Sequence, residues 1–121
     1  MHNVITYKDR AGNDEIADYI NGLSDKINTS KDARIKYTKI LSYIDRLRNY
    51  GVSIGEPTIK RIEGTELWEL RPVNDRIFFA YWKDNVFVLL HHFTKKAQKT
   101  PPQEIKKAER NMKDFIERYG A

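Results

Sequence analysis

Hydrophobic residues in the first half of the chain recur at spacings of three and four, a pattern typical of amphipathic helices. A short strand-like segment at 2–8 comes first, one helical stripe then follows Asn13 or Asp14, and a stronger one runs from Ser30 to Gly51. Asp, Asn and Ser are common at the N-terminal caps of helices, and Gly is common just after their C-terminal ends. The pattern therefore predicts a first strand followed by a helical hairpin.

The hydrophobic period changes after a breaker segment at 51–57, which contains two glycines and a proline. The runs that follow are rich in β-branched and aromatic residues, which favour strands. These runs lie at 58–63, 66–71, 76–83 and 86–93. Between the last two, Asp84-Asn85 is typical of a two-residue hairpin, because both residue types tolerate a positive φ. Four strands joined by tight links indicate an antiparallel β-meander.

A last helical stripe extends from residue 105 to Tyr119, with Thr100 as the expected N-cap, Pro101 in the first turn and Gly120 as the stop. Together the patterns predict an α+β fold: an N-terminal strand and helical hairpin, an antiparallel meander and a C-terminal helix. No linker or low-complexity tract divides the chain, so we expect a single domain over 1–121. The pattern does not decide whether both faces of the sheet are covered.

Composition narrows the class of protein. Hydrophobic residues make up 40% of the chain and charged residues 32%, which is typical of a globular protein, and the net charge of +5 favours an anionic partner such as nucleic acid or an acidic protein. The chain has no cysteine, which excludes disulfides, a thiolate nucleophile and cysteine-based zinc sites. No signal peptide and no apolar run of about 18 residues is present. We therefore expect a soluble, cytoplasmic protein without a membrane partner.

A basic segment without neighbouring acids follows the last predicted strand. It reads HHFTKKAQKTPP from His91 onward, and no carboxylate occurs between Asp84 and Glu104. Adjacent residues of a strand point to opposite faces, so His91 and His92 do not suit a two-histidine metal site, and we expect no metal. A histidine here is either a proton carrier, since its ordinary pKa of about 6.5 suits proton transfer near neutrality, or a hydrogen-bonded structural residue.

Two arginines are expected at the same end of the sheet. In a meander the strand that ends at Arg71 runs in the same direction as the last strand, and the turn at 72–75 brings Arg76 beside Arg71. Guanidinium groups placed there can bind a phosphate and stabilise developing negative charge. The alternative, which the spacing alone favours, is that one or both arginines form salt bridges with Glu69 or Asp75.

The lysines between the last strand and the last helix join this end of the sheet. The two arginines, one histidine, Lys95 and Lys96 could therefore surround one phosphate. Cations without a carboxylate pair or metal ligands suit RNA cleavage in which the ribose 2′-hydroxyl attacks the adjacent phosphate. The alternative is simple electrostatic binding of a nucleic-acid backbone.

The segments ELWELRPV, NDRIFFAYW and VLLHHFTKKAQKTPPQEIKKAERN make the chain similar to toxins of the RelE/ParE superfamily, in the HigB-like branch, over nearly its whole length. The resemblance implies a RelE-like fold and a type II toxin that cleaves mRNA on the ribosome, without a metal or other cofactor, and so inhibits translation. It also implies a cognate HigA-like helix-turn-helix antitoxin, through which alone the toxin would contact operator DNA.

The resemblance also implies roles for individual residues. It assigns phosphate contact and catalysis to Arg71, Arg76, Lys95 and Lys96, and it makes His91 the candidate proton carrier. Further RNA contacts are expected from Lys99, His92, Lys60 and Arg61. Several relatives have a catalytic Tyr or His near the C-terminus, but here Tyr119 lies on an apolar stripe, so that role is not transferred to it.

The superfamily leaves two other functions open. Some of its toxins act on gyrase, and it also includes HigB-like phage proteins. A toxin that is not a nuclease and inhibits a protein such as gyrase is therefore one alternative, and a phage-derived nucleic-acid-binding protein is another.

Overall fold

The computed structural model describes all 121 residues of the chain. Its five strands and three α-helices follow in the order β1 (Asn3–Thr6), α1 (Glu15–Ser24), α2 (Lys31–Tyr50), β2 (Ile59–Arg61), β3 (Trp68–Leu70), β4 (Asp75–Tyr81), β5 (Val86–Thr94) and α3 (Pro102–Tyr119). A 3-10 turn at Gly51–Ile54 follows α2. The predicted α+β fold is confirmed.

All five strands form one mixed sheet in the order β1-β5-β4-β3-β2. Strands β2 to β5 are antiparallel to their neighbours, which confirms the predicted meander, and β1 joins β5 in parallel. Asp84 and Asn85 have φ values of 53° and 63°, as the predicted hairpin turn requires. Because β3 and β5 are both antiparallel to β4, their C-terminal ends lie at the same end of the sheet.

Polar caps determine where the helices of the hairpin begin. Asp14 and Ser30 each accept a hydrogen bond from the backbone N–H three residues further on, as the sequence predicted. Gly51 ends α2 with a φ of 62°, and a Cβ at this position would lie 2.8 Å from the ring of His2. Both the backbone angle and the space therefore require glycine there.

Helices cover both faces of the sheet, the point that the sequence pattern left undecided. One face, called the hairpin face below, packs against α1 and α2 through Ile16, Ile40, Ile44, Leu47, Leu70, Phe79, Phe87 and Leu89. The other face, called the α3 face, packs against the last helix through Phe78, Ala80, Val88, Leu90, Ala108 and Phe115. Each buried Ile, Leu, Val or Phe among them stabilises the fold by about 1.5–3 kcal/mol relative to its exposed state.

The start of α3 differs from the prediction. Its N-cap is Pro101, which makes no side-chain hydrogen bond, and the helix begins at Pro102. The predicted cap, Thr100, instead donates its hydroxyl to the carboxylate of Glu69 on the sheet at 3.0 Å, because a buried carboxylate needs hydrogen-bond donors. Gly120 follows the last helical residue, as predicted. None of the helices combines the length and the apolar character that crossing a bilayer requires.

Candidate active site

Arg71 and Arg76 lie side by side at one end of the α3 face. Leu70 at the end of β3 pairs with Ile77 of β4, so the next residues along the ladder, Arg71 and Arg76, meet across it. Arg76 is only 8% exposed, and Arg71 is partly buried. The predicted proximity of the two arginines is therefore confirmed.

The Glu69 carboxylate is the counter-charge of both arginines. Its Oε1 lies 3.3 Å from Arg71 Nε and 3.7 Å from Arg76 Nε, and its Oε2 accepts the hydroxyl of Thr100. The salt bridges that the spacing favoured are thus confirmed for Glu69, but not for Asp75, whose carboxylate faces the hairpin. One buried carboxylate against two guanidinium groups leaves the cluster net positive, so these salt bridges do not remove its attraction for an anion.

The guanidinium of Arg76 is held in place by backbone carbonyls. Its Nη1 donates to the carbonyl of Val73 at 3.0 Å and to that of Asp75 at 2.8 Å. Val73 has a φ of 55°, in the left-handed region that β-branched residues rarely adopt. Such an outlier beside a buried cation points to a functional constraint on the turn.

The inner nitrogens of the arginine pair are turned toward Glu69. The Nε atoms of Arg71 and Arg76 are buried and have no hydrogen-bond partner of acceptable geometry. Burial, followed by the charge of Arg71, lowers the pKa of Arg76, but a guanidinium remains protonated at neutral pH. An oxyanion would therefore bind the pair through the outer guanidinium nitrogens, both Nη of Arg71 and Nη2 of Arg76, which make no hydrogen bond within the protein.

Asp75 supports the site from the opposite face. Its carboxylate is fully buried and accepts hydrogen bonds from the hydroxyls of Tyr19, at 2.9 and 3.0 Å, and of Thr94, at 3.0 Å. These bonds connect α1, the start of β4 and the end of β5. Asp75 thus fixes the strand position that precedes Arg76, a supporting role that the sequence analysis missed.

An open cavity of about 430 Å³ adjoins the arginine pair. It is lined by Asn74, Arg76, Lys95, Lys96, Ala97 and Gln98, with no acidic residue among them. The backbone N–H of Lys95 donates to the carbonyl of Asn74 at 2.7 Å, which ties the lysine loop to the turn before β4. The predicted convergence of Arg76, Lys95 and Lys96 is confirmed, while Lys99 lies exposed in the same loop outside this lining. We call this cavity with Arg71 and Glu69 the arginine site.

His91 lies on the α3 face but does not line this cavity. Its ring is 4% exposed and stacks on Phe78, with Nδ1 2.8 Å from Glu15 and Nε2 3.3 Å from Glu104. Both ring nitrogens therefore face carboxylates, one from α1 and one from α3. This position fits the structural alternative for His91, in which the ring links two helices to β5, and its role as a proton carrier stays a prediction.

His92 points to the hairpin face, so the predicted separation of the two histidines is confirmed. Its ring stacks on Tyr19 with 4.1 Å between ring centroids, and its Nδ1 lies 3.0 Å from Glu15. Strand β1 ends opposite Leu89, which leaves the edge of β5 free beyond that point. Glu15 occupies this edge and contacts both histidines, a bridge that no local sequence signal predicts.

Glu15 should make the stability of the protein depend on pH in the acidic range. Burial alone would raise its pKa, but hydrogen bonds from His91 and His92 outweigh burial and hold the pKa below the ordinary value of 4.5. A carboxylate with a depressed pKa stabilises the fold above the pKa of the unfolded chain, and this contribution is lost as the pH falls below it. We therefore expect Glu15→Gln to lower the free energy of unfolding by about 2 kcal/mol at pH 7.

Urea denaturation between pH 3 and pH 7 checks this expectation. The difference between the native protein and Glu15→Gln should shrink as the pH falls below 4.5. Glu109→Gln, at an exposed position of α3, is the matched control and should leave the curve unchanged. A constant difference between the native protein and Glu15→Gln across this range would contradict the assigned role.

Lys60 and Arg61 lie on the edge strand β2, and both are exposed. Lys60 pairs with Glu69, so it faces α3 next to the arginine site, whereas Arg61 pairs with Trp68 and faces the hairpin. The Arg61 guanidinium donates to the carbonyl of Thr65 and lies 5.3 Å from the Trp68 ring centroid. The structure therefore brings Lys60 to the arginine site and places Arg61 beside a different cavity.

Comparison with known protein families gives a match over most of the chain. Residues 18–113 match a family described as phage derived protein Gp49-like (DUF891). The matched segment includes α2, all four strands of the meander and the start of α3, and therefore the whole arginine site. No curated protein matches the chain.

Proposed function

The chain belongs to the phage-derived Gp49-like family, and from this premise we propose that it is a type II toxin that cleaves mRNA on the ribosome without a metal. The observation that carries the proposal is the pair of adjacent arginines, which share one buried carboxylate and therefore keep a net positive charge, beside a cavity lined by lysines. The same site also supports the resemblance to HigB-like toxins that the sequence motifs indicate.

The proposed reaction uses the charge of the site. The ribose 2′-hydroxyl attacks the adjacent phosphorus, the bond to the 5′ oxygen breaks, and the products are a 2′,3′-cyclic phosphate and a 5′-hydroxyl. Arg71 and Arg76 would stabilise the negative charge that grows on the pentacoordinate phosphate. Lys95 and Lys96 would hold the flanking phosphates, and an ammonium group in the cavity can protonate the leaving 5′ oxygen.

The cavity lining contains no histidine or carboxylate, so the neutral amine of one of its two lysines would take the proton of the 2′-hydroxyl while the other lysine, as an ammonium group, gives a proton to the 5′ oxygen. Action on the ribosome is proposed from the resemblance to ribosome-dependent toxins, and the cations of the site suit the phosphates of mRNA. Such an activity would place the protein in the cytoplasm.

We further propose that a HigA-like helix-turn-helix antitoxin neutralises it, and a neighbouring reading frame for such a protein would support this partner.

Primer extension on mRNA after brief expression of the protein tests the proposal. We expect new 5′ ends within translated regions, and none in the same transcripts when their start codon is removed. Purified protein mixed with naked RNA should give little cleavage compared with RNA on translating ribosomes. Intact transcripts at a dose that stops growth would overturn the nuclease proposal, and inhibited supercoiling under those conditions would favour a gyrase inhibitor.

A further inference from the structure

A second cavity, of about 530 Å³, lies on the hairpin face at the end of the sheet opposite to the arginine site. It is formed where β3 and β5 begin and where β2, β4 and α2 end. Its lining includes His2, Tyr50, Arg61, Trp68, Tyr81 and Phe87. A cavity of this size, in which half of the ten lining residues carry aromatic rings, is typical of a site for a small planar group.

Several aromatic rings of this cavity are open to solvent. Tyr50 is 64% exposed and Tyr81 is 49% exposed, so neither ring is there to fill the core. Trp68 is partly buried and is covered by the guanidinium of Arg61. Exposed rings beside a cation can stack on the bases of single-stranded nucleic acid, because every base has a π face.

The ring of His2 forms a fixed part of the cavity wall. Nδ1 of His2 is buried and makes no hydrogen bond. The ring is held 5.1 Å from the Phe87 centroid, and it packs against Gly51, where even one extra methyl group would collide with it. A ring fixed in this way gives the cavity a rigid wall, although its buried Nδ1 cannot be reached from the cavity.

A basic strip connects this cavity to the arginine site. Lys60 and Arg61 are consecutive exposed residues of the edge strand, and they face opposite sides of the sheet. Trp68 and Arg71 are also on opposite faces, and their separation along the chain corresponds to about 10 Å of strand. An RNA backbone that leaves the arginine site can therefore pass around β2 over these two cations and bring a base to the cavity.

We propose that the second cavity is a base-stacking subsite for single-stranded RNA, occupied by a nucleotide a few positions from the phosphate at the arginine site. Glu66 lies at its rim, 3.9 Å from Arg61, and its exposed carboxylate disfavours a phosphate inside. A neutral base inside the cavity avoids repulsion by Glu66. Its phosphate, outside the cavity, can then bind Lys60 and Arg61. The inference rests on the proposed RNA substrate and extends it to a second contact.

Binding of short RNA by the purified protein tests the subsite separately from cleavage. The probe is a fluorescein-labelled, single-stranded 2′-O-methyl RNA, which cannot be cut by 2′-hydroxyl attack, and fluorescence anisotropy reports its affinity at low salt. Tyr50→Ala should weaken binding about tenfold, because stacking on an aromatic side chain is lost. Tyr119→Ala removes another exposed tyrosine outside both cavities and should bind like the native protein. Circular dichroism checks that both variants are folded.

Abasic nucleotides identify the stacked base. One abasic position in the probe should weaken binding to the native protein as much as Tyr50→Ala does, and the two changes together should add nothing further. Equal binding by the Tyr50→Ala and Tyr119→Ala variants, or an equal loss at every abasic position, would overturn the subsite.

If the abasic scan succeeds but mRNA stays intact in cells, the nuclease proposal fails and the subsite stands. If mRNA is cut but Tyr50→Ala binds RNA normally, the subsite fails alone.

Discussion

Arg71→Ala is expected to cleave translated mRNA about 100-fold more slowly than the native protein and to lose its ability to stop growth. The change removes one of the two guanidinium groups that would stabilise the transition state. Glu69 would then pair with Arg76 alone, so the cluster of these side chains would lose its net positive charge. Since Arg71 is partly exposed at the end of its strand, the fold should survive. Primer extension measures the cleavage rate, and thermal melting measures the fold.

Two further variants separate charge from geometry in this prediction. Arg34→Ala removes the same charge from an exposed position of α2 and should leave cleavage unchanged. Arg71→Lys keeps the charge but loses the planar pair of donors, so its rate should lie between those of the native protein and Arg71→Ala. Growth arrest by Arg71→Ala as strong as that by the native protein would remove Arg71 from the site.

Glu69→Gln is expected to lower the free energy of unfolding by about 3 kcal/mol, because it leaves the buried guanidinium of Arg76 without its counter-charge. Glutamine is close to glutamate in size and can still accept the hydrogen bond of Thr100, so the loss reports on the charge. Urea denaturation at pH 7 measures the effect. Glu66→Gln is the matched control, since the Glu66 side chain is 96% exposed and should contribute almost nothing.

A double-mutant cycle shows whether the loss belongs to the ion pair. Arg76→Gln combined with Glu69→Gln leaves no unpaired buried charge, so the double variant should be more stable than the sum of the single changes predicts. Strict additivity would mean that the carboxylate and the guanidinium do not interact. Stability of Glu69→Gln equal to that of Glu66→Gln would show that the Glu69 charge is unimportant for folding.

The sequence predicted the elements well because their signals are local. Helical spacing, polar caps and the Asp84-Asn85 turn act within a few residues, so they do not depend on the rest of the fold. The neighbourhood of Arg71 and Arg76 was predictable for a related reason. A short turn between adjacent antiparallel strands leaves few registers, and the direction of the last strand then brings Lys95 and Lys96 to the same end.

The sequence by itself determined the α+β class, the meander and the convergence of the two arginines with Lys95 and Lys96, but the histidine that was expected beside them lies outside the cavity. Only the tertiary structure decided what each charged group contacts. The carboxylate beside His91 lies 76 residues away on α1, and Thr100 caps no helix because Glu69, 31 residues earlier, takes its hydroxyl. Contacts over such distances depend on how helices dock on the sheet, and docking sums many weak packing terms that no short segment encodes. For the same reason the cavity at Tyr50 and Trp68, which joins four strand ends to a helix end, could be seen only in the folded chain.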